Sequence, residues 1–493
     1  MVKIKILMVY VFALAILMVK PVAAREFDIN GRPLNIMGYI TQNAAFSLTG
    51  DYYDTEDGLQ SLLTNIFVEA EYLPHKDYRI FLTGKLTADW IYDIKHDDRS
   101  WNNRQFSDSR DNMYFDDEYW QILHEAHVTW TPGPFLLRVG KQIVSWGEMD
   151  GFRIMDQINP LDQRRGFADV EFENSIIPIW MVRGEYYQSV MKDWLQEWGI
   201  QVLFNPNIDF IANQGIKLGN AEGGIWAPNV VLPGTKMGKA YQEIEEPDGS
   251  EGFEYGVKLS ALAFDTYINL HGFYGRENDP VLLGAAPFMK FSAGPDGTPL
   301  LHLVQTGEYP RFKFLGLSMT RDIPFLSWKI PYFAKAHQPV LRFEGYYAFD
   351  RTFATDINTM EEFDDVQLGV ALDYKIKIPL INKKSTVALT TQFYDRRIRD
   401  YPSYGLTGVE DDSNSIIFFA QTSYMNAKLT PSIFYWYDFH NDGSFIKPAL
   451  SYMLNNDWKY TLAATFMQGQ NNEGYDLFDH KDQIFFTVER RFN

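Results

Sequence analysis

Apolar and polar residues alternate along many short segments, and this two-residue period constrains the fold more than any other feature of the chain. Side chains point alternately to the two faces of a β-strand, so each segment has one apolar and one polar face. In segment 62–73 the apolar face carries Ile66, Val68, Ala70 and Tyr72, and the polar face carries Asn65, Glu69 and Glu71. The pattern predicts an all-β fold.

About eighteen segments show the pattern, and the assignment is weakest between residues 178 and 340. Sixteen strands is the alternative, because the connection before Lys192 and the one at residues 323–339 are long for inner turns. The predicted strands are 34–48, 62–73, 78–92, 117–131, 134–146, 178–188, 196–205, 253–264, 266–276, 311–321, 338–351, 363–376, 385–396, 414–425, 428–439, 444–454, 457–468 and 482–492. The long connections are 49–61, 93–116, 147–177, 205–252, 276–310 and 397–413. They alternate with short ones, as in bacterial barrels with short periplasmic turns and long outer loops. We therefore predict one transmembrane antiparallel up-and-down β-barrel.

Composition agrees with a membrane barrel. Aromatic residues make up 16% of the chain, yet the mean hydropathy is −0.26. After residue 24 no run of eighteen apolar residues occurs, so no transmembrane helix is predicted. Only every second residue of a barrel strand faces lipid, so the mean hydropathy of the whole chain stays low. Stacked secreted β-helices or β-sandwiches are the alternative, but their outward faces are polar.

Residues 1–24 have the features of a secretory signal peptide. Two lysines precede an apolar run from Ile6 to Val19, and Val22-Ala23-Ala24 offers a small-residue cleavage site. We predict cleavage after Ala24, which leaves 25–493 as a barrel domain in the bacterial outer membrane. A retained N-terminal anchor is the alternative.

Charge and cysteine content exclude several classes of function. The chain has 45 basic and 64 acidic residues, and removal of the three signal-peptide lysines gives 42 − 64 = −22. Such a negative chain is not expected to bind nucleic acid, which requires a basic face. The absence of cysteine excludes thiolate metal sites, thiol catalysis and covalent haem attachment.

One stretch departs from the strand pattern. The sequence RVGKQIVSWGE runs from Arg138 to Glu148, begins as a strand and enters the third long connection. Its glycines allow the backbone to bend sharply away from the strand. We predict that the chain leaves the wall at Ser145–Glu148 and that residues 151–166 fold back into the barrel as a constriction or plug. An ordinary exposed loop is the alternative.

This stretch, with INPLD at residues 158–162, resembles the signature of a family of proteobacterial outer-membrane proteins labelled only as a domain of unknown function. That signature reads approximately R-x-G-[RK]-Q-x-x-S-W-G-E, a gap, and N-P-x-D. The matching residues are Arg138, Gly140, Lys141, Gln142, Ser145, Trp146, Gly147, Glu148, Asn159, Pro160 and Asp162. Members of the family look like porins, so the resemblance implies a porin-like protein and supplies no substrate.

Charged and polar residues of this region are the candidates for a constriction or a channel lining, because an ionic residue on a membrane strand must face the lumen. They are Arg138, Gln142, Trp146, Glu148, Arg153, Asp156, Asn159, Asp162, Arg164 and Arg165, with Glu125 and His127 on the preceding strand. Further lumen candidates are Glu69, Glu71, Lys85, Asp89 and Gln121. A hydrogen-bonded network that only fills the wall is the alternative role.

The sequence contains no recognisable catalytic set. The tetrapeptide HEAH at 124–127 lacks one residue of H-E-x-x-H, and no serine lies in G-x-S-x-G. We predict neither an enzyme nor a metal site nor a cofactor, although acidic outer loops leave calcium binding open.

We predict passive or facilitated passage of a small solute through the barrel. The alternative is a structural barrel that holds a periplasmic or surface partner, such as a lipoprotein or an electron-carrying cytochrome. The expected partners are outer-membrane lipid, lipopolysaccharide and the barrel-assembly machinery. The last of these would bind the C-terminal strand, which ends with Phe492 and Asn493.

Overall fold

A computed structural model describes residues 25–48, 58–95, 113–116, 118–165, 175–215, 236–293, 297, 299–470, 474–479 and 481–492. The predicted signal peptide lies outside the described residues, as does Gly166 at the end of the predicted constriction.

Strands dominate the described residues. They are β1 Arg25–Asp28, β2 Pro33–Ser47, β3 Leu59–His75, β4 Tyr78–Asp89, β5 Phe115–Asp116, β6 Ala126–Trp130, β7 Phe135–Gln142, β8 Ile179–Lys192, β9 Leu195–Asn205, β10 Lys236–Glu245, β11 Glu254–Ala263, β12 Thr266–Arg276, β13 Val281–Ala293, β14 Pro299–Glu308, β15 Arg311–Asp322, β16 Lys329–Ile330, β17 Ala334–Ala354, β18 Met360–Lys377, β19 Val387–Ile398, β20 Asp412–Thr422, β21 Leu429–Asp438, β22 Gly443–Met453, β23 Trp458–Gln468 and β24 Gln483–Phe492. The helices are α1 Ile91–Ile94 and α2 Tyr119–Ile122, with 3-10 turns at Gly249–Gly252, Pro324–Leu326 and Gly474–Phe478. Within the described ranges no helix is long and apolar enough to cross a membrane.

Eighteen of these strands form a closed antiparallel barrel, as predicted. They are β2–β4, β6–β9, β11, β12, β15 and β17–β24, each paired with the next, and β24 pairs with β2 to close the ring. Every predicted segment overlaps one of them, so the sixteen-strand alternative is wrong. Closure gives each strand two hydrogen-bonded neighbours, which removes the free sheet edges that a lipid environment does not tolerate.

The two faces of the wall differ in polarity. On β4, Leu82 and Leu86 are exposed on the outside, whereas Thr83 and Thr87 are buried on the inside. Aromatic side chains mark the outer surface near the short turns, where the rings of Tyr78 and Trp130 stack with centroids 6.2 Å apart. An apolar outer face bordered by aromatic rings is typical of a barrel that spans a membrane.

The strand predicted over 117–131 is wrong in its first half. The helical turn α2 replaces it, and β6 begins only at Ala126. The turn faces Gly84 of β4, where a Cβ atom would lie 2.9 Å from the carbonyl oxygen of Ile122. The missing side chain therefore makes room for α2 beside the wall.

Two long connections contain more structure than predicted. Strand β10 lies in connection 205–252, and β13 and β14 lie in connection 276–310. They form a separate three-stranded sheet in which β10 runs parallel to β14 and β13 runs antiparallel to it. These pairings join two loops at the same end of the barrel.

Gly140 on β7 is a position where we expect no other residue. Its φ is +134°, and a Cβ atom there would lie 2.2 Å from the carbonyl oxygen of Ala126. We expect Gly140→Ala to lower the free energy of unfolding in lipid vesicles by about 2 kcal/mol or more. Gly184→Ala on β8 is the matched control, because its Cβ would meet only Val202 at 3.5 Å. Equal stability of the two variants would contradict this view of Gly140.

Candidate channel and inward loop

Residues 143–165, here called the inward loop, lie against the inner wall of the barrel. Their apolar residues form one buried cluster with the wall: Val144, Trp146, Met149, Phe152, Ile154, Met155 and Ile158 pack on Ile179, Met181, Leu203, Phe273, Phe312, Phe314, Tyr346, Ala348, Ala371 and Ile417. Two wall glycines make the approach possible. A Cβ at Gly316 would lie 2.4 Å from the sulfur of Met155, and one at Gly369 would lie 2.6 Å from Ile154. The inward loop therefore fills the side of the lumen from β8 to β21.

The chain leaves the wall after Gln142, so the departure begins at Ile143, two residues before the predicted Ser145, and the strand predicted over 134–146 is too long at its C-terminal end. Buried side chains supply hydrogen bonds where strand pairing stops. The Gln142 amide donates to the carbonyl of Met181 at 3.1 Å. The Asn159 amide donates to the carbonyls of Gln142 and Ile177, and its oxygen accepts from the N–H of Val144 at 2.8 Å. Backbone groups at the departure point are therefore paired by side chains of the signature.

Glu125 takes part in the same departure. One of its carboxylate oxygens accepts the backbone N–H of Ile143 at 3.2 Å. Further along, the N–H of Ile177 donates to the carbonyl of Pro160, and the N–H of Asp162 donates to Ser175. The end of the inward loop thus pairs with the chain that leads into β8.

Asp156 holds the bend at the start of the inward loop. Its carboxylate accepts the N–H groups of Trp146 at 2.6 Å and Gly147 at 2.9 Å, and the hydroxyl of Ser145 at 3.1 Å. A Cβ at Gly147 would lie 2.5 Å from the same carboxylate. Ser145, Trp146 and Gly147 therefore provide three donors to the Asp156 carboxylate, and the missing side chain of Gly147 leaves space for it.

Trp146 is buried, with 2% of its surface exposed. Its indole N–H donates to the side chain of Gln201 at 2.7 Å, and Gln201 in turn donates to Glu185 at 2.8 Å. The ring packs against His271 and Phe273. The polar partner of the indole is thus a wall residue of β9.

Glu148 is bound to the opposite wall mainly through its backbone. Its N–H donates to the carboxylate of Glu344, which also accepts the N–H of Met149 at 3.1 Å. Arg342 donates to the Glu148 carbonyl and forms an ion pair with Asp150 at 2.7 Å. Burial raises the pKa of the Glu148 carboxyl, and Lys258 and Arg342 only partly oppose this.

The last residues of the described inward loop form a charged cluster. Arg164 pairs with Asp116 at 2.5 Å and with Asp162 at 2.9 Å, and Arg165 pairs with Asp89 at 3.3 Å. Burial alone would raise the pKa of Asp162, but the hydrogen bonds and charge of Arg164 hold that pKa below its usual range. The two carboxylates likewise raise the pKa of Arg164 against the effect of burial.

The other candidate residues have structural contacts. Arg153 donates to the carbonyl of Asn159 at 2.8 Å, and Arg138 donates to the hydroxyl of Thr129 at 2.9 Å. His127 is buried and stacks on Phe81 with centroids 5.0 Å apart. Over the residues that the structure describes, no three His, Cys, Asp or Glu side chains form a metal-ligand set.

Lys141 holds the basic position of the signature. It is fully buried, and its ammonium group donates to the carbonyls of Trp120 at 3.1 Å and Leu123 at 2.7 Å. It therefore binds the end of the helical turn α2. The single ammonium group of a lysine is enough to make both hydrogen bonds.

A cavity of about 620 Å³ lies on the side of the lumen that the inward loop leaves open. Its walls are β2, β3, β4 and β22–β24. The remaining lining residues are Asp116 of β5, Gln121 of α2, and Asp162 and Arg165 of the inward loop. Of the twelve candidate residues only Asp162 and Arg165 line it, together with the lumen candidates Glu69, Lys85 and Gln121. That the remaining candidates form the constriction or line the channel stays a prediction.

The cavity carries charges of both signs. The basic lining residues are Lys85, Arg165, Lys447, Lys459 and Arg491, and the acidic ones are Glu69, Asp116, Asp162 and Glu489. Glu489 interacts with both Lys459 and Arg491. The lining is therefore polar and nearly balanced in charge.

Sequence reasoning missed the wall of β22–β24. Its lumen-facing residues include Lys447, Lys459, Thr461, Thr487 and Arg491. They lie on the polar faces of strands that were correctly predicted, so the alternation could have identified them.

Asn159 allows a direct test of the hydrogen bonds that pair the backbone where the chain leaves the wall. Asn159→Ala removes three hydrogen bonds from buried backbone groups, so we expect a loss of about 2–4 kcal/mol in the free energy of unfolding. Gln188→Ala, which removes an exposed amide from β8, is the control and should change stability by less than about 0.5 kcal/mol. A change of that small size in Asn159→Ala would contradict the role assigned to this side chain.

Three solved structures are similar to the chain at low sequence identity. OmpF of Salmonella typhi is 11% identical with a TM-score of 0.40, and the match covers 95% of this chain and 100% of OmpF. OpdK of Pseudomonas aeruginosa is 6% identical with a TM-score of 0.46, over 93% of this chain and 98% of OpdK. OccAB4 of Acinetobacter baumannii is 9% identical with a TM-score of 0.45, over 93% and 98%.

Among curated proteins nothing matches the chain. A family model described as "Protein of unknown function (DUF1302)" matches residues 53–492, which include the inward loop and all but the first strand of the barrel. The chain belongs to the DUF1302 family.

Proposed function

We propose that the protein is an outer-membrane channel that lets small polar solutes pass, passively or by facilitated diffusion, between the inward loop and the wall of β22–β24 and β2–β4. The observation that carries the proposal is the polar cavity on that side. Along β24 its lining runs from Phe485 through Thr487 and Glu489 to Arg491. The six-residue step from Phe485 to Arg491 extends roughly 20 Å along the strand, or about 15 Å in depth for a tilted strand, which is about half of a hydrocarbon layer about 30 Å thick.

The inward loop is the constriction in this proposal. Its apolar residues pack against β8–β21, so that side is closed to polar solutes. Its charged end, with Asp162 and Arg165, borders the open side. Opposed charges in a narrow polar passage can both pair with each other and discriminate among ions. The solute would therefore be sorted where the loop end faces the wall of β22–β24.

An outer-membrane location fits the chemistry of the barrel. The outer face is apolar, the polar residues lie inside, and a signal peptide is expected at residues 1–24. Lipid and lipopolysaccharide would surround such a barrel, and the assembly machinery would recognise β24, the strand that closes it. The proposed activity is passage of a solute and not catalysis.

The absence of cysteine permits a sharp test of the passage. A cysteine at Thr461 lies in the cavity, whereas one at the adjacent Leu462 lies on the outer face, where Leu462 is 47% exposed. We expect a charged methanethiosulfonate reagent to reduce the single-channel conductance of Thr461→Cys in planar bilayers. Leu462→Cys should keep its conductance, because its side chain points into lipid.

Three outcomes are informative. Reduction only at position 461 supports the proposed path, and equal behaviour of the two variants would overturn it. If the unmodified barrel shows no ion steps and a periplasmic or surface protein co-purifies with it, the barrel is a scaffold for that partner.

Arg165 allows a test of ion preference. A unit charge about 10 Å from an ion in water changes the ion's energy by roughly 0.4 kcal/mol, which is about twofold in population. We therefore expect Arg165→Ala to shift the cation-to-anion permeability ratio towards cations by about twofold, measured from reversal potentials in a salt gradient. Adding Arg164→Ala, which leaves Asp116 and Asp162 without their arginine, should increase the shift.

The control is Arg397→Ala on β19. Arg397 is 67% exposed and follows Arg396, which pairs with Asp365 on the inner face, so Arg397 lies on the outer face. Its removal should leave the permeability ratio unchanged. An unchanged ratio in Arg165→Ala would place this charge outside the ion path.

A further inference from the structure

An apolar notch lies in the outer surface of the barrel where β7 leaves the wall. It has a volume of about 450 Å³, and its side walls include Leu82 of β4, Val128 of β6, Val139 of β7 and Val182 of β8. Trp180 and Ile208 also border it. We propose that this notch binds an acyl chain of a membrane phospholipid.

The departure of β7 accounts for the position of the notch. Pairing of β6 with β7 ends at Ala126 and Lys141, and pairing of β7 with β8 ends at Gln142 and Ile179. Beyond this point the backbone turns into the lumen. Gly140, which also lines the notch, presents no side chain there. The outer surface is therefore concave at the place where the signature folds inward.

Aromatic residues fix the depth of the notch in the membrane. Tyr78, Trp130 and Phe135 are exposed on the outer face next to the short turns, where side chains of this kind mark the edge of the bilayer. Leu82 follows Tyr78 by four residues, and Val139 follows Phe135 by four. Four residues of strand extend roughly 13 Å, or about 10 Å in depth for a tilted strand. The notch therefore lies within the hydrocarbon layer.

Hydrocarbon is the ligand that fits this environment. An apolar cavity of about 150 Å³ already holds benzene, so the notch has room for a long segment of an alkyl chain. An empty notch would leave its wall atoms without dispersion contacts, and water gains no hydrogen bonds there. A second barrel would meet the notch with its convex outer wall, which does not enter a concave site. The inference requires only that the barrel spans a membrane and does not depend on the proposed channel.

Photolabelling of the barrel in lipid nanodiscs tests the proposal. The probe is phosphatidylcholine with a diazirine near the end of one acyl chain, diluted into unlabelled phosphatidylcholine. We expect peptides from β6 and β8 to be labelled in excess over peptides from β12 and β15. Val139→Trp, which fills the notch, should abolish the excess. Leu315→Trp on β15, where Leu315 is 59% exposed on the outer face, should preserve it.

Val182→Trp serves as a second filling variant if Val139→Trp does not fold, and it should give the same loss. Even labelling around the barrel would overturn the proposal, as would an excess that persists in the filled variants. An excess obtained with a free fatty acid carrying the diazirine but not with the phospholipid would also overturn it. So would cross-links between two barrels that disappear in Val139→Trp, because a second copy would then occupy the notch.

Discussion

Every backbone N–H and C=O in a membrane must find a partner within the protein, and the structure depends on how the chain meets this requirement. Closure of β24 onto β2 meets it for the barrel as a whole. Backbone groups again need partners at the end of β7, where the chain leaves the wall and turns into the lumen. There Gln142 and Asn159 provide hydrogen bonds that strand pairing no longer supplies. The signature can therefore be understood as the chemistry of a strand that leaves a membrane wall.

The same departure divides the lumen. Apolar residues of the inward loop pack on one half of the wall, and the polar cavity remains on the other half. Burial of a large aliphatic or aromatic side chain contributes about 1.5–3 kcal/mol. The seven apolar residues of the inward loop in this cluster therefore hold the loop firmly against the wall. Asp156 and Glu344 then fix its backbone direction through four N–H groups. A loop anchored in both ways defines one side of the cavity as rigidly as a strand does.

The barrel could be predicted from the sequence because a period of two is local and repeats in every strand. The eighteen strands and their order follow from it. The helical turn α2 could not be predicted, since it depends on Gly84 in one strand and Lys141 in another. The sheet of β10, β13 and β14 could not be predicted either, because it joins two loops that are distant in sequence.

The candidate site shows the same division between local and distant information. A buried indole N–H requires a hydrogen-bond partner, but the partner of Trp146, Gln201, is identifiable only because β9 lies beside the inward loop. Lys141, Gln142 and Asn159 of the signature bond to backbone carbonyls, and their neighbours along the chain give no sign of this. Residues that face open lumen follow the ordinary alternation of β22–β24 and carry no unusual motif. In a barrel of this kind a distinctive motif identifies where the backbone needs special support, whereas the lining of a passage is found from the polar faces of ordinary strands.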